Sequence, residues 1–159
     1  MVWDAPEIFG RVIMTASDIW SAGLILATLI NAKSNNGDDG DGDGDGSGRP
    51  PLVTGETPLE ILTGMVQLVG RPSLASLEAI AYDSQMNEEG LALYRHLGKL
   101  PPDATGGAGA SSLAACVPGA TPAELDLLAM MLDFNPHTRA SADDCLDHPY
   151  FTGGGRAIV

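Results

Sequence analysis

Apolar positions along the chain recur at helical spacing, and most apolar runs follow a residue able to cap a helix. The first run, Ile19 to Ile30, is apolar nearly all round and follows Thr15 and Asp18. That spacing suits a capping box, in which the hydroxyl accepts from the third amide and the carboxylate reaches back. A helix without a polar face belongs inside a fold, with neighbours on several sides. The second start is Thr57-Pro58-Leu59-Glu60, with proline where its missing N–H does no harm. Ile61, Leu62, Met65, Val66 and Val69 then form one stripe, stopped by Gly70 and Pro72.

Residues 74 to 81 allow a short helix, and 88 to 97 another whose apolar face is Leu91, Tyr94 and Leu97, with Leu93 beside it. Thr121-Pro122-Ala123-Glu124 repeats the start signal before Leu125, Leu128, Met131 and Leu132. Asn135-Pro136 should end that helix, because proline pushes the residue before it away from helical geometry. Ser141 to Asp144 opens a last short helix, which His148-Pro149 closes. No segment alternates β-branched or aromatic residues with polar ones as a strand requires. The expectation is an all-α fold of about six helices.

Residues 34 to 50 break the pattern, being mostly Gly, Asp, Asn and Ser, and read as a disordered acidic insertion between the first two helices. The stretches 70 to 73, 101 to 112 and 152 to 155 read as loops. Five acids, Asp38, Asp39, Asp41, Asp43 and Asp45, lie in the insertion and supply much of the net charge of −13. Such a chain is unsuited to nonspecific contact with nucleic acid or anionic lipid, which needs Lys and Arg against phosphate. The run Ile19 to Ile30 is too short to span a bilayer.

The acidic tract starts like a calcium loop at Asp41, Asp43 and Asp45, yet the bidentate glutamate position falls on Leu52 and the ninth position on Arg49. Cys116 and Cys145 lack metal-ligand spacing, and no positively charged leader marks an oxidising compartment, so reduced thiols in the cytoplasm or nucleus are expected. His96, His137 and His148 sit on separate elements without a nucleophile or carboxylate at working distance in sequence. No catalytic, cofactor-binding or metal residue is assigned.

Three motifs occur in order: Ala5-Pro6-Glu7, Asp18-Ile19-Trp20-Ser21-Ala22-Gly23, and Arg139 within LDFNPHTRASADDCLDHPYF. Together they resemble the A-P-E, D-x-W-S-x-G and arginine regions of a eukaryotic protein kinase C-lobe. The stretch Leu52 to Gly55 and the segment Ile61 to Pro72 are similar to the entry to helix G, and helix G itself, of the CMGC group, most of all its mitogen-activated protein kinases. Residues 74 to 118 stand where that group carries its insertion. The resemblance implies a partial kinase domain over residues 1 to 159, interrupted by the insertion at 34 to 50.

Complete kinases of this kind use ATP and magnesium to phosphorylate protein hydroxyls. The phosphate-covering G-x-G-x-x-G, the strand lysine, H-R-D and D-F-G do not occur in this sequence. The glycines at 40, 42, 44, 46 and 48 are no phosphate loop, because the aspartates that alternate with them would repel a nucleotide. The chain alone is therefore expected to be inactive and to hold no cofactor. The resemblance makes Glu7 and Arg139 a buried pair tying the activation-segment end to the last helices, and makes Asp18 an acceptor for the catalytic loop. Ala5, Pro6, Trp20 and Gly23 complete the structural motifs. Asp4 stands where the group has a basic residue. The alternative is a pseudokinase-like module that binds a protein through helix G and the insertion surface.

Overall fold

The computed structural model describes residues 3–33, 52–99 and 110–153. The acidic insertion at 34 to 50 and its aspartates lie outside them. Among the described residues a short 3-10 turn, Pro6–Gly10, precedes eight α-helices: α1 Thr15–Lys33, α2 Pro58–Val69, α3 Leu74–Asp83, α4 Glu88–Lys99, α5 Ala110–Cys116, α6 Pro122–Met131, α7 Ala142–Leu146 and α8 Pro149–Thr152. No strand occurs among the described residues, and the fold is all-α.

The helices start where local chemistry satisfies their first amides. Complete capping boxes stand at Thr57/Glu60, Thr121/Glu124 and Ser141/Asp144. At α1 the signal is displaced: the helix already includes Thr15, and Ser17 Oγ accepts the Met14 N–H at 3.2 Å. Ser17 wins because its hydroxyl also donates to Glu7 Oε1 at 2.7 Å, a long-range bond that Thr15 and Asp18 cannot supply.

Two of these caps set an acid dependence. The amides of Glu56 and Thr57 hold the Glu60 carboxyl below its ordinary 4.5, and the Ser141 hydroxyl and amide hold Asp144 below 3.8. Both values are depressed on folding, so the stabilisation is present above the ordinary carboxylate range and is lost as pH falls below it. Melting curves of Glu60→Gln and Asp144→Asn should lie below the parent at neutral pH and converge on it only as pH falls through the depressed folded-state values, beneath the ordinary carboxylate range.

The main core joins α1, α2, α3, α4, α5 and the α6 end through Trp20, Leu24, Leu62, Met65, Leu77, Tyr94, Leu97, Leu128 and Leu132. A smaller cluster of Leu127, Met131, Ala140 and Cys145 seats α7 against α6, with Tyr150 of α8 beside it. Helix α5 falls partly in the stretch read as loop. Its segment is Ala- and Ser-rich with no apolar stripe of its own, and the buried Leu113 with the following Val117 fixes it to the core. Helix α6 ends at Met131, ahead of Asn135-Pro136. Past it, Asp133 Oδ1 accepts the Asn135 N–H and Oδ2 accepts the Thr138 hydroxyl, which turns the chain early.

Helix α1 is covered on one side only. Trp20, Gly23, Leu24, Ala27 and Ile30 are buried, whereas Ile25 and Leu29 are 50% and 62% exposed. The expectation of neighbours on several sides is thus met on one side, since no described element lies over the face of Ile25 and Leu29.

Close backbone approach decides two glycine sites. A Cβ on Gly23 would stand 2.9 Å from Leu132 Cδ2 and 3.0 Å from Met131 Cβ, so a larger residue there would have to displace these side chains at the α1–α6 contact. A Cβ on Gly90 would stand 2.5 Å from Gly10 Cα, where α4 crosses the 3-10 turn and backbone cannot yield as a side chain would. Gly90→Ala should therefore destabilise by about 1 to 3 kcal/mol despite alanine's better helix propensity, as read from urea unfolding.

Candidate functional site

The centre of the molecule is a buried charge cluster that the 3-10 turn, α1, α4 and the α6–α7 loop build together. Ala5 and Pro6 are buried, and the turn they start sets Glu7 inward with its side chain 0% exposed. Arg139 follows Pro136 and precedes the Ser141 cap, so a short restrained loop aims its guanidinium; its side chain is also 0% exposed. The two meet as a fork: Nη1 donates to Glu7 Oε1 at 2.9 Å and Nη2 to Oε2 at 3.0 Å.

Two further N–H groups of Arg139 donate to backbone. Nη1 donates to the Ala16 carbonyl at 2.7 Å and Nε to the Asp133 carbonyl at 2.9 Å. The Ser17 hydroxyl adds a donor to Glu7 Oε1. A pair removed from water survives only when its other lone pairs and protons are satisfied in this way. The Trp20 ring lies 5.2 Å from the guanidinium carbon and 6.4 Å from Phe134, edge to face at 89°. Tyr94 packs on Phe134 at 5.7 Å. Burial, with the Glu7 carboxylate adding to it and Arg139 opposing, pushes the Tyr94 phenol well above its ordinary range.

Asp18 is exposed in the first turn of α1. Gly23 lies at the α1–α6 contact. The structure thus gathers Glu7, Trp20 and Arg139, keeps Ala5, Pro6 and Gly23 as packing positions, and leaves Asp18 on the surface. The sequence reading did not anticipate Ser17, Phe134, Tyr94 and the carbonyls of Ala16 and Asp133. Ser17, three residues beyond Met14, carried a local signal as a hydroxyl near a helix start. The carbonyl acceptors carried none, because their use depends on where Arg139 arrives.

His148 and His137 have structural roles. His148 Nδ1 accepts the Tyr150 N–H at 3.1 Å, capping α8, and Nε2 lies 3.1 Å from Asp126 Oδ2. This makes His148 the start of α8 as well as the stop of α7. His137 Nε2 lies 3.1 Å from the Ser84 hydroxyl. Ser84 caps the carboxyl end of α3, where helix carbonyls disfavour an alkoxide, so the contact is no nucleophile pair.

No family model matches the chain. Among curated proteins it is 31% identical over 150 residues to a probable inactive protein kinase of Dictyostelium discoideum, covering 94% of this chain and 10% of that protein. It is 30% identical over 154 residues to serine/threonine-protein kinase KDX1 of Saccharomyces cerevisiae, covering 95% of this chain and 29% of that one. Mitogen-activated protein kinase mpk-1 of Caenorhabditis elegans is 32% identical over 148 residues, with 92% and 27% covered. The solved MAP kinase LmaMPK10 of Leishmania major superposes with a TM-score of 0.69 at 27% identity over 98% of this chain and 41% of that one. The chain has a kinase C-lobe fold of the mitogen-activated type. It spans from 10% to 29% of the length of the curated relatives named here.

Among the described residues no group of three or more His, Cys, Asp or Glu could hold a metal ion. Open clefts of about 420 to 560 Å³ line the surface, and Arg71 is the one cation among the residues lining them. A triphosphate needs several donors and a metal to spread its charge. No described helix is long and apolar enough to cross a membrane.

Proposed function

We propose that this chain is a supporting part of a serine/threonine kinase domain and does not transfer phosphate by itself. The observation that carries this reading is the buried Glu7–Arg139 fork, which fastens the segment after Asp4 to the helical body. In such a domain, Asp18 and the bare face of Ile25 and Leu29 on α1 are where the nucleotide-handling part docks. Ala5, Pro6, Glu7, Asp18, Trp20, Gly23 and Arg139 then act as supports, none touching a reacting atom.

ATP and magnesium belong to the complete kinase under this reading, and cytoplasm or nucleus is its setting, in keeping with the free thiols of Cys116 and Cys145. The test is phosphate release and transfer to a serine-proline peptide by the purified chain. Counts at the level of buffer are expected. Turnover well above buffer, abolished by unfolding the chain, would overturn the reading.

A second reading is a non-catalytic interaction module that uses α2, equivalent to helix G, and the α3–α4 insertion. The name of the Dictyostelium relative, a probable inactive kinase, favours it, as does the cleft of about 500 Å³ along α2 between Leu52 and Gln67.

A further inference from the structure

The corner between α3 and α4 is built around a conformational cost. Helix α3 ends in a Schellman motif: the Gln85 N–H donates to the Tyr82 carbonyl and the Met86 N–H to the Ala81 carbonyl, each at 3.0 Å. The motif places Gln85 in the left-handed region at φ 52°, a position that glycine fills without strain. The motif needs no side chain at this position, so any use for the amide lies in what it faces. It faces an open cleft of about 560 Å³ lined by Ala81, Tyr82, Asp83, Gln85, Met86 and Leu91.

The lining has a definite chemistry. Met86 and Ala81 are buried and make an apolar floor, while Tyr82 stands 82% exposed at the edge. Asp83 is exposed next to it, and Glu78 is one turn earlier on α3. Glu88 and Glu89 open α4 on the other side. The nearby cations are Arg11, 3.9 Å from Glu89 with both side chains highly exposed, and Arg95, one turn along α4 from Leu91. No cation lines the cleft itself.

An aromatic face, a carboxylate and an amide oxygen above an apolar floor are complementary to a planar, weakly hydrated cation. Guanidinium stacks on tyrosine and bonds carboxylate with its fork, and its methylene stem covers apolar surface. Ammonium is more strongly hydrated and lacks the flat face. Independently of either functional reading, we propose that this corner docks an arginine side chain of a partner polypeptide, with the guanidinium over Tyr82 and against Asp83.

The test is amide chemical-shift titration of the full chain with the peptide acetyl-Ala-Leu-Arg-Leu-Ala-amide. Its citrulline and lysine counterparts serve as controls. The arginine peptide should shift the amides of Tyr82 to Leu91 selectively, and citrulline should bind about tenfold more weakly, as loss of a charged hydrogen-bonded pair implies. Asp83→Asn should weaken binding about fivefold and Tyr82→Ala about threefold, whereas Glu88→Gln should change it less than about twofold. All three positions are exposed, so the variants should fold like the parent. Shifts spread evenly over acidic residues, or Glu88→Gln as harmful as Asp83→Asn, would reduce the site to general charge and overturn the proposal. Lysine binding as well as arginine would overturn the guanidinium assignment. The same shifts produced by raising protein concentration alone would assign the corner to a second copy instead.

Discussion

Arg139→Ala should cost about 3 to 5 kcal/mol of stability, because it leaves a buried Glu7 carboxylate without its charge partner. Both side chains of the pair are 0% exposed. The loss also strips the Ala16 and Asp133 carbonyls of their guanidinium donors. Glu7→Ala should cost less than Arg139→Ala, since the guanidinium keeps those two carbonyls. The double variant should fall short of the sum, because the second substitution removes a group already orphaned by the first. Urea denaturation of the parent, both single variants and the double variant reads all four values. Additive losses, each below about 1 kcal/mol, would mean that the fork contributes as little as a surface pair. A domain of this size has only about 5 to 15 kcal/mol to lose, so Arg139→Ala should leave the chain largely unfolded near its parent's melting temperature.

Trp20→Ala should be comparably damaging, at about 3 to 5 kcal/mol, by opening a cavity at the middle of the main core. The indole is 0% exposed and supports Phe134 and the Arg139 guanidinium at once. Its Nε1 is buried and has no hydrogen-bond partner among the described residues. Phenylalanine removes that unsatisfied donor while keeping an aromatic face, so Trp20→Phe should cost less than half as much as Trp20→Ala. Trp20→Ala combined with Arg139→Ala should again be less than additive, as the two side chains touch. Thermal melts of the three variants check these orders, and equal losses for phenylalanine and alanine would count against packing as the cause.

Much of the helical fold is legible in the sequence where local chemistry and tertiary packing agree. Thr57, Thr121 and Ser141 each carry an acidic partner three residues on and cap the helices they precede. The stripe of α2 buries Ile61, Leu62, Met65 and Val66 as its spacing requires. Agreement fails where a distant group outbids the local one. Thr15 loses its capping role because Ser17 is recruited by Glu7. Helix α5 has no stripe and exists through burial of Leu113. Helix α6 stops at Met131 because the Asp133 side chain folds the following turn, and Asn135-Pro136 is reached after the helix has ended. At the buried cluster the motifs give the charged partners, while the acceptors of Ala16 and Asp133 come from a loop path that no local pattern encodes.

Under the proposed function, this helical body does not hold a nucleotide by itself. The most direct measurement is calorimetric titration of the folded 159-residue chain with magnesium and ATP. The account predicts heats indistinguishable from dilution and an unchanged melting temperature at millimolar nucleotide. Saturable binding with a melting temperature that rises with nucleotide concentration would contradict it.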